Sequence, residues 1–198
     1  PSLFSRARAW GRILLDYALM RSALANWVRP MGARPEALLI EGTNICNARC
    51  VFCAYPRMER PKTTMPMEVF KKAVDECLTL GSREVSLTPI VGDPLVDPFL
   101  FDRLDYLSSR PEITRFHFYT NAILMKPGMA ERLVAYGERF MIFCSFGGFD
   151  RDTYRKIMGV DKFDAAVANI KSLIEAKVRA GSRIHIQANL RLPVGGEG

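Results

Sequence analysis

The residues of this chain best suited to chemistry are three cysteines, Cys46, Cys50 and Cys53, in the stretch EGTNICNARCVFCAYPR. Their C-x3-C-x2-C spacing sets three thiols within eight residues, close enough for the sulfurs to converge on one face of a small loop. Three is one fewer than the four thiolates that usually close an iron–sulfur cluster or a structural zinc site. No fourth cysteine lies close by, since the others are Cys77 and Cys144, and the two histidines, His117 and His185, sit in strand-like runs well downstream. The simplest chemical reading is a cluster with one iron left open to something that is not protein. The alternative is zinc with a remote fourth ligand, although zinc sites more often use paired C-x2-C knuckles.

Such a loop needs a scaffold, and the flanking sequence supplies one. Ala37 to Ile40 is a short, wholly apolar run that reads as a buried strand feeding directly into the cysteines. Pro66 to Leu80 follows as a helix, with proline near its start and Gly81 at its end. Further strands are expected at Glu84–Thr88, Thr114–Thr120, Phe140–Phe146 and Arg183–Leu190. Helices are expected at Phe99–Ser108, Pro127–Tyr136 and Phe163–Arg179. Alternating strands and helices imply parallel strands joined by right-handed crossovers. In a parallel barrel the strand ends share the face where active sites form. Gly92, Asp93, Asn121 and Ser145 all fall where a strand ends, so they should meet the cysteines in space.

The cysteine spacing, with Phe52 just before the third cysteine, resembles the signature of the radical S-adenosylmethionine (radical SAM) superfamily. Val91-Gly92-Asp93-Pro94 resembles that family's Gly-Gly-Glu-Pro segment, Thr120-Asn121 its Thr-Asn-Gly, and Ser145-Phe146-Gly147-Gly148 its Ser-Leu-Asp-Gly, in the family's order. The resemblance spans about residues 36 to 190 and is closest to the branch of maturases with a C-terminal auxiliary-cluster (SPASM-type) domain. It implies an α/β fold, a partial TIM-like barrel, with five of the family's six strand–helix units before the chain reaches LPVGGEG. It also implies cofactors: a [4Fe–4S] cluster on Cys46, Cys50 and Cys53, its fourth iron chelated by S-adenosylmethionine. Phe52 would wall the adenine, Gly92 and Asp93 would meet the methionine amino group, and Asn121 would contact the cofactor. Ser145 would bond the ribose or carboxylate, and Asn189 with Arg191 would reach the adenine or carboxylate.

The resemblance further implies a 5′-deoxyadenosyl radical that abstracts hydrogen from a peptide or small metabolite, with an electron donor such as flavodoxin or ferredoxin. Val91, Asp93, Ala122 and Gly147 depart from the family pattern. The departures at Val91, Asp93 and Gly147 keep a second reading open, a non-catalytic iron–sulfur or zinc-binding module that no longer cleaves S-adenosylmethionine. Cys77 and Cys144 read as small core residues, and His117, between Phe116 and Phe118, as structural.

Composition bounds the rest. The 198 residues, 48% hydrophobic and 25% charged, suit one globular core. The net charge of +7 is concentrated in the first 34 residues, where six arginines face Asp16 alone. Residues 3–29 show helical spacing of Leu3, Ala7, Trp10, Leu14 and Ala18 between those arginines. Residues 1–35 are therefore expected as a basic amphipathic extension of a 36–198 barrel. It would pack on the main domain or, through residues 1–34, dock weakly on a membrane or partner. An odd number of crowded cysteines argues for a reducing compartment, the cytoplasm. No run reaches the length of a membrane span, no secretory signal is expected, and the Pro1 start suggests an excised segment. No P-loop, Ser–His–Asp order or nucleic-acid module is present.

Overall fold

The computed structural model describes residues 11, 14–18, 35–88 and 90–191. The chain divides into two units, Pro1–Pro35 and Glu36–Gly198. In the first, residues 11 and 14–18 are helical and exposed, and the remainder of the helix expected over 3–29 lies outside the described residues. No described helix is long and apolar enough to cross a membrane.

The second unit is built on five strands: β1 Ala37–Leu39, β2 Glu84–Ser86, β3 Arg115–Thr120, β4 Phe140–Gly147 and β5 His185–Arg191. All pair in parallel in the order β1-β2-β3-β4-β5, so each crossover places the next strand beside the last. Among the described residues the sheet is open, with β1 and β5 at its edges. The crossovers carry α1 Met67–Thr79, α2 Leu100–Ser108, α3 Met129–Val134, α4 Arg151–Met158 and α5 Phe163–Arg179.

Side-chain alternation along the strands explains the layering. Phe116 and Phe118 on β3 are fully buried beside Phe140 of β4, at ring centroid distances of 5.1 and 5.4 Å. They join Phe70 and Val74 of α1, Leu104 and Leu107 of α2, Leu133 of α3 and Leu173 of α5 in one core. His117 and Tyr119 point to the opposite face, where Tyr119 stacks on Phe143 at 4.5 Å and His117 meets the same ring edge-on at 5.5 Å. Cys144 is buried in the core as expected, whereas Cys77 on α1 is only half-buried.

Helix α4 stands where the sequence reading assigns no element. It is short and polar, but its ends carry full stop signals. Asp150 caps it by accepting the Thr153 amide at 2.9 Å, and Gly159 leaves it in a left-handed conformation with φ +67°. A second buried cluster forms on its apolar side from Tyr154, Ile157 and Met158 with Ala48 and Ala166.

A buried ion pair fixes the start of the cysteine segment to α2. Arg103 donates from Nε to Asp97 Oδ2 at 2.8 Å, and both side chains are almost wholly enclosed. The Arg103 guanidinium also donates to the Gly42 carbonyl at 3.4 Å and lies over the Phe70 ring at 4.9 Å. A side chain at Gly42 would strike Asp97 Oδ2 at 2.6 Å, so glycine is what lets the chain pass this pair.

Candidate functional site

The cysteine loop is closed at its base by a short antiparallel contact. Thr43 bridges Thr64, Asn44 N donates to the Thr63 carbonyl at 3.1 Å, and Met65 N to the Gly42 carbonyl at 2.7 Å. The Asn44 side chain completes the closure, accepting the Thr63 amide at 2.7 Å and donating to the Pro61 carbonyl at 2.8 Å. The loop then rests on the end of α4. Arg49 N and Val51 N donate to the carbonyls of Met158 and Ile157 at 3.1 and 2.9 Å, satisfying acceptors that a helix terminus otherwise leaves unpaired. The contact is close enough that a Cβ on Gly159 would lie 2.3 Å from the Arg49 carbonyl oxygen.

The three sulfurs sit in different surroundings. Cys46 Sγ accepts the Ala48 amide at 3.4 Å, and Cys53 Sγ accepts the Tyr55 amide at 3.4 Å. Cys50 Sγ instead meets Met158 Sδ at 3.9 Å. Burial, aided by the neighbouring Asp93 and thiol charges, pushes the Cys46 thiol up to about 11 and the Cys50 thiol up to about 12. Among the described residues no three His, Cys, Asp or Glu side chains close on a single point as a one-ion site requires. A cluster imposes no such convergence, because each of its irons takes its own thiolate.

The turn after β2 is bolted to this loop. Gly92 has φ +110°, and a side chain there would lie 2.6 Å from the Thr43 carbonyl, so only glycine allows the approach. Asp93 N donates to the Ile45 carbonyl at 2.9 Å, one residue before Cys46. The Asp93 side chain is buried and its oxygens are already engaged. They accept the Leu95 amide at 2.9 Å, the Thr120 hydroxyl at 2.9 and 3.0 Å, and the Asn121 amide at 2.7 Å. Burial raises the carboxyl above its ordinary value against the pull of those donors. Asp93 thus braces the turns after β2 and β3 to one another, a use of the side chain that the sequence reading did not assign.

Asn121 is the other tie. Its Oδ1 accepts the Ile123 amide at 3.0 Å, while its Nδ2 donates to Asn47 Oδ1 at 2.9 Å and lies 4.0 Å from Cys46 Sγ. Ala122, standing where the resemblance has glycine, keeps the left-handed backbone at φ +59°. Asn169 of α5 holds that turn, donating to the carbonyls of Ala122 and Ile123 at 2.8 and 3.0 Å. Gly147, in place of the expected acid, lies against α4, and a Cβ there would meet Met158 at 2.8 Å.

On the far side, Ser145 and Asn189 are register partners across β4 and β5, and Gln187 donates to Asn189 Oδ1 at 2.7 Å. The Arg191 guanidinium lies over the half-exposed Phe52 ring at 5.6 Å. The result is one cavity of about 560 Å³, within the range usual for small-molecule sites. All ten residues singled out from sequence line it: Cys46, Cys50, Phe52, Cys53, Gly92, Asp93, Asn121, Ser145, Asn189 and Arg191. Thr88, Tyr119 and Met158 line it as well and were not anticipated. The donor set suits the cofactor pair implied by the sequence: three thiols at one end, and amide, hydroxyl and guanidinium groups with an aromatic face at the other.

A parallel α/β sheet that carries a three-cysteine loop and a cavity at the carboxyl ends of its strands is the architecture of a partial-barrel α/β protein. Residues 40–187 match the radical SAM superfamily, and the chain belongs to it. The cofactors of that superfamily are a [4Fe–4S] cluster and S-adenosylmethionine. Among curated proteins, the chain is 28% identical over 144 residues to the GTP 3′,8-cyclase of Desulforamulus reducens, covering 71% of this chain and 43% of that one. It is 30% identical over 141 residues to the probable GTP 3′,8-cyclase of Saccharolobus solfataricus, covering 71% and 44%. The chain thus spans less than half the length of these relatives. Among solved structures, Streptococcus suis SuiB bound to S-adenosylmethionine superposes with a TM-score of 0.62 at 22% identity, over 78% of this chain and 34% of that one. The anSMEcpe structure with bound AdoMet and a peptide gives 0.60 at 20% identity, over 79% and 42%. These likenesses establish the partial-barrel fold.

Proposed function

We propose that the chain is the catalytic core of a radical SAM enzyme in which Cys46, Cys50 and Cys53 hold the cluster and the adjoining cavity takes S-adenosylmethionine. The observation that carries this reading is the single cavity that unites the three thiols with the ends of β2, β3, β4 and β5. Cys46, Cys50 and Cys53 would hold the cluster, and the bound pair would supply one-electron cleavage of the sulfonium S–C5′ bond, with release of methionine, for hydrogen abstraction from substrate. Gly92 lets the turn backbone approach the cysteine loop, and Asp93 and Thr120 keep that turn from drifting. Ser145 and Asn189 offer neutral hydrogen-bonding groups, and Arg191 offers the one cation lining the cavity among the described residues, suited to a carboxylate. Phe52 presents an exposed aromatic face for a purine beside it.

The substrate is proposed at the level of class, a small molecule or a peptide. The first is supported by the relatives named for GTP and the second by the SuiB complex with its precursor peptide SuiA. A one-electron donor such as flavodoxin or ferredoxin is the proposed partner, and the cytoplasm is the proposed compartment, a reading supported by five cysteines that form no disulfide. The test is electron paramagnetic resonance of the anaerobically reconstituted, reduced protein with and without S-adenosylmethionine. A [4Fe–4S]⁺ signal reshaped by the cofactor is expected. A signal indifferent to it would favour a non-catalytic cluster module, and zinc retained with no cluster would overturn the reading.

A further inference from the structure

Asn121 does two separable things with one side chain. Its oxygen closes the turn after β3 by accepting the Ile123 amide at 3.0 Å, which fixes the orientation of the amide group. The nitrogen must therefore face the other way, toward the cysteine loop. There it donates to Asn47 Oδ1 at 2.9 Å, while Asn47 Nδ2 returns a longer bond of 3.4 Å to Asn121 Oδ1. The second hydrogen of the same nitrogen has Cys46 Sγ as its acceptor, at 4.0 Å. Asn121 itself is only 6% exposed, so water does not compete freely for that hydrogen. The turn needs only an oxygen acceptor, and the donor half of the amide has no structural task besides Asn47 and the sulfur.

We propose that Asn121, held in place by Asn47, is a positioning residue that donates to the Cys46 sulfur and raises the reduction potential of the cluster bound there. This rests on the reading above that Cys46 is a cluster ligand. Reduction adds an electron that spreads onto the thiolate sulfurs, and a hydrogen bond to a sulfur stabilises the reduced state more than the oxidised one. The backbone amides of Ala48 and Tyr55 already serve Cys46 and Cys53, so the side chain of Asn121 is the adjustable donor of the set. Its setting would decide how readily a weak one-electron donor can reduce the cluster.

The test is an EPR-monitored redox titration of the reconstituted full chain, as wild type, Asn121→Asp and Asn121→Ser. Aspartate keeps the acceptor for Ile123 and the shape of the side chain but removes the N–H, and serine keeps a hydroxyl for the turn without adding charge. The midpoint is expected to fall in both, further in Asn121→Asp. At a fixed solution potential near the wild-type midpoint, the ratio of reduced to oxidised cluster should drop at least tenfold in Asn121→Asp, about 59 mV for one electron. A midpoint unchanged in whichever variant carries a full cluster overturns the inference. Loss of the cluster from both variants but not the wild type also overturns it, because the role would then be assembly. A wild type that takes up no cluster ends the reading on which the inference rests, and the inference with it.

Discussion

Asp93 and Asn121, one after β2 and one after β3, are joined directly: the carboxylate of the first accepts the backbone amide of the second at 2.7 Å. The same carboxylate takes the Thr120 hydroxyl and the Leu95 amide. Asp93→Ala would strand these three donors in a dry interior and should cost about 3 kcal/mol or more in urea unfolding. Asp93→Glu, which restores the family's acid, should also destabilise, by about 1–3 kcal/mol, because the extra methylene has no room. A glutamate variant as stable as the wild type would show that the brace tolerates either acid.

Gly159 serves the cysteine loop from outside it. Gly159→Ala forces a side chain into a left-handed backbone, costing about 1–2 kcal/mol, and pushes against the Arg49 carbonyl. Iron and sulfide content after reconstitution should fall along with the unfolding midpoint. Full cluster occupancy in this variant would mean that the loop finds its place without α4.

Arg103 and Asp97 form an enclosed pair, so the order of removal matters. Arg103→Leu leaves the Asp97 charge buried and should cost about 3–5 kcal/mol, whereas Arg103→Met combined with Asp97→Asn should cost clearly less. Equal losses in the two proteins would show that packing on Phe70, rather than charge, dominates here.

The pH dependence of the cofactor-free protein has a specific source in His117. Burial lowers its pKa, with Arg115 acting in the same direction and Glu84 against it, and its Nδ1 finds no hydrogen-bond partner among the described residues. A histidine depressed in the folded state gives stability that is complete above its unfolded value, about 6.5, and is lost as pH falls toward the folded value. The urea midpoint should therefore drop between pH 7.5 and 5.5, and His117→Gln should flatten that drop. A variant that keeps the wild-type slope would assign the proton uptake elsewhere.

The strand and helix order was legible because each signal is local. Apolar runs such as Ala37–Ile40, the proline before Met67 and Gly81 after α1 act within a few residues. The cysteine spacing is local too, and the three thiols it singles out line the cavity described above. The bracing role of Asp93 was not legible, since besides the local Leu95 amide its hydrogen-bond donors come from residues 27 and 28 positions away, which only the fold brings to it. Helix α4 could have been found from Asp150 and Gly159, but its single exposed-side turn of charges masks the three apolar residues it buries. His117 reads as structural from its Phe neighbours, yet alternation sends it to the opposite face, with Tyr119 and Phe143.

The seat of the cysteine loop is made of residues 157 to 159, more than a hundred positions after the first thiol. During synthesis the three cysteines leave the ribosome long before α4 exists to receive them. Until then the three thiols lack the contacts that residues 157 to 159 give the loop. Iron and sulfide delivered to the growing chain would meet a loop without its shape. The cluster proposed for these thiols would then be installed after residues 157 to 159 have folded, and the rate at which the second half of the chain folds would set how long the cysteines wait.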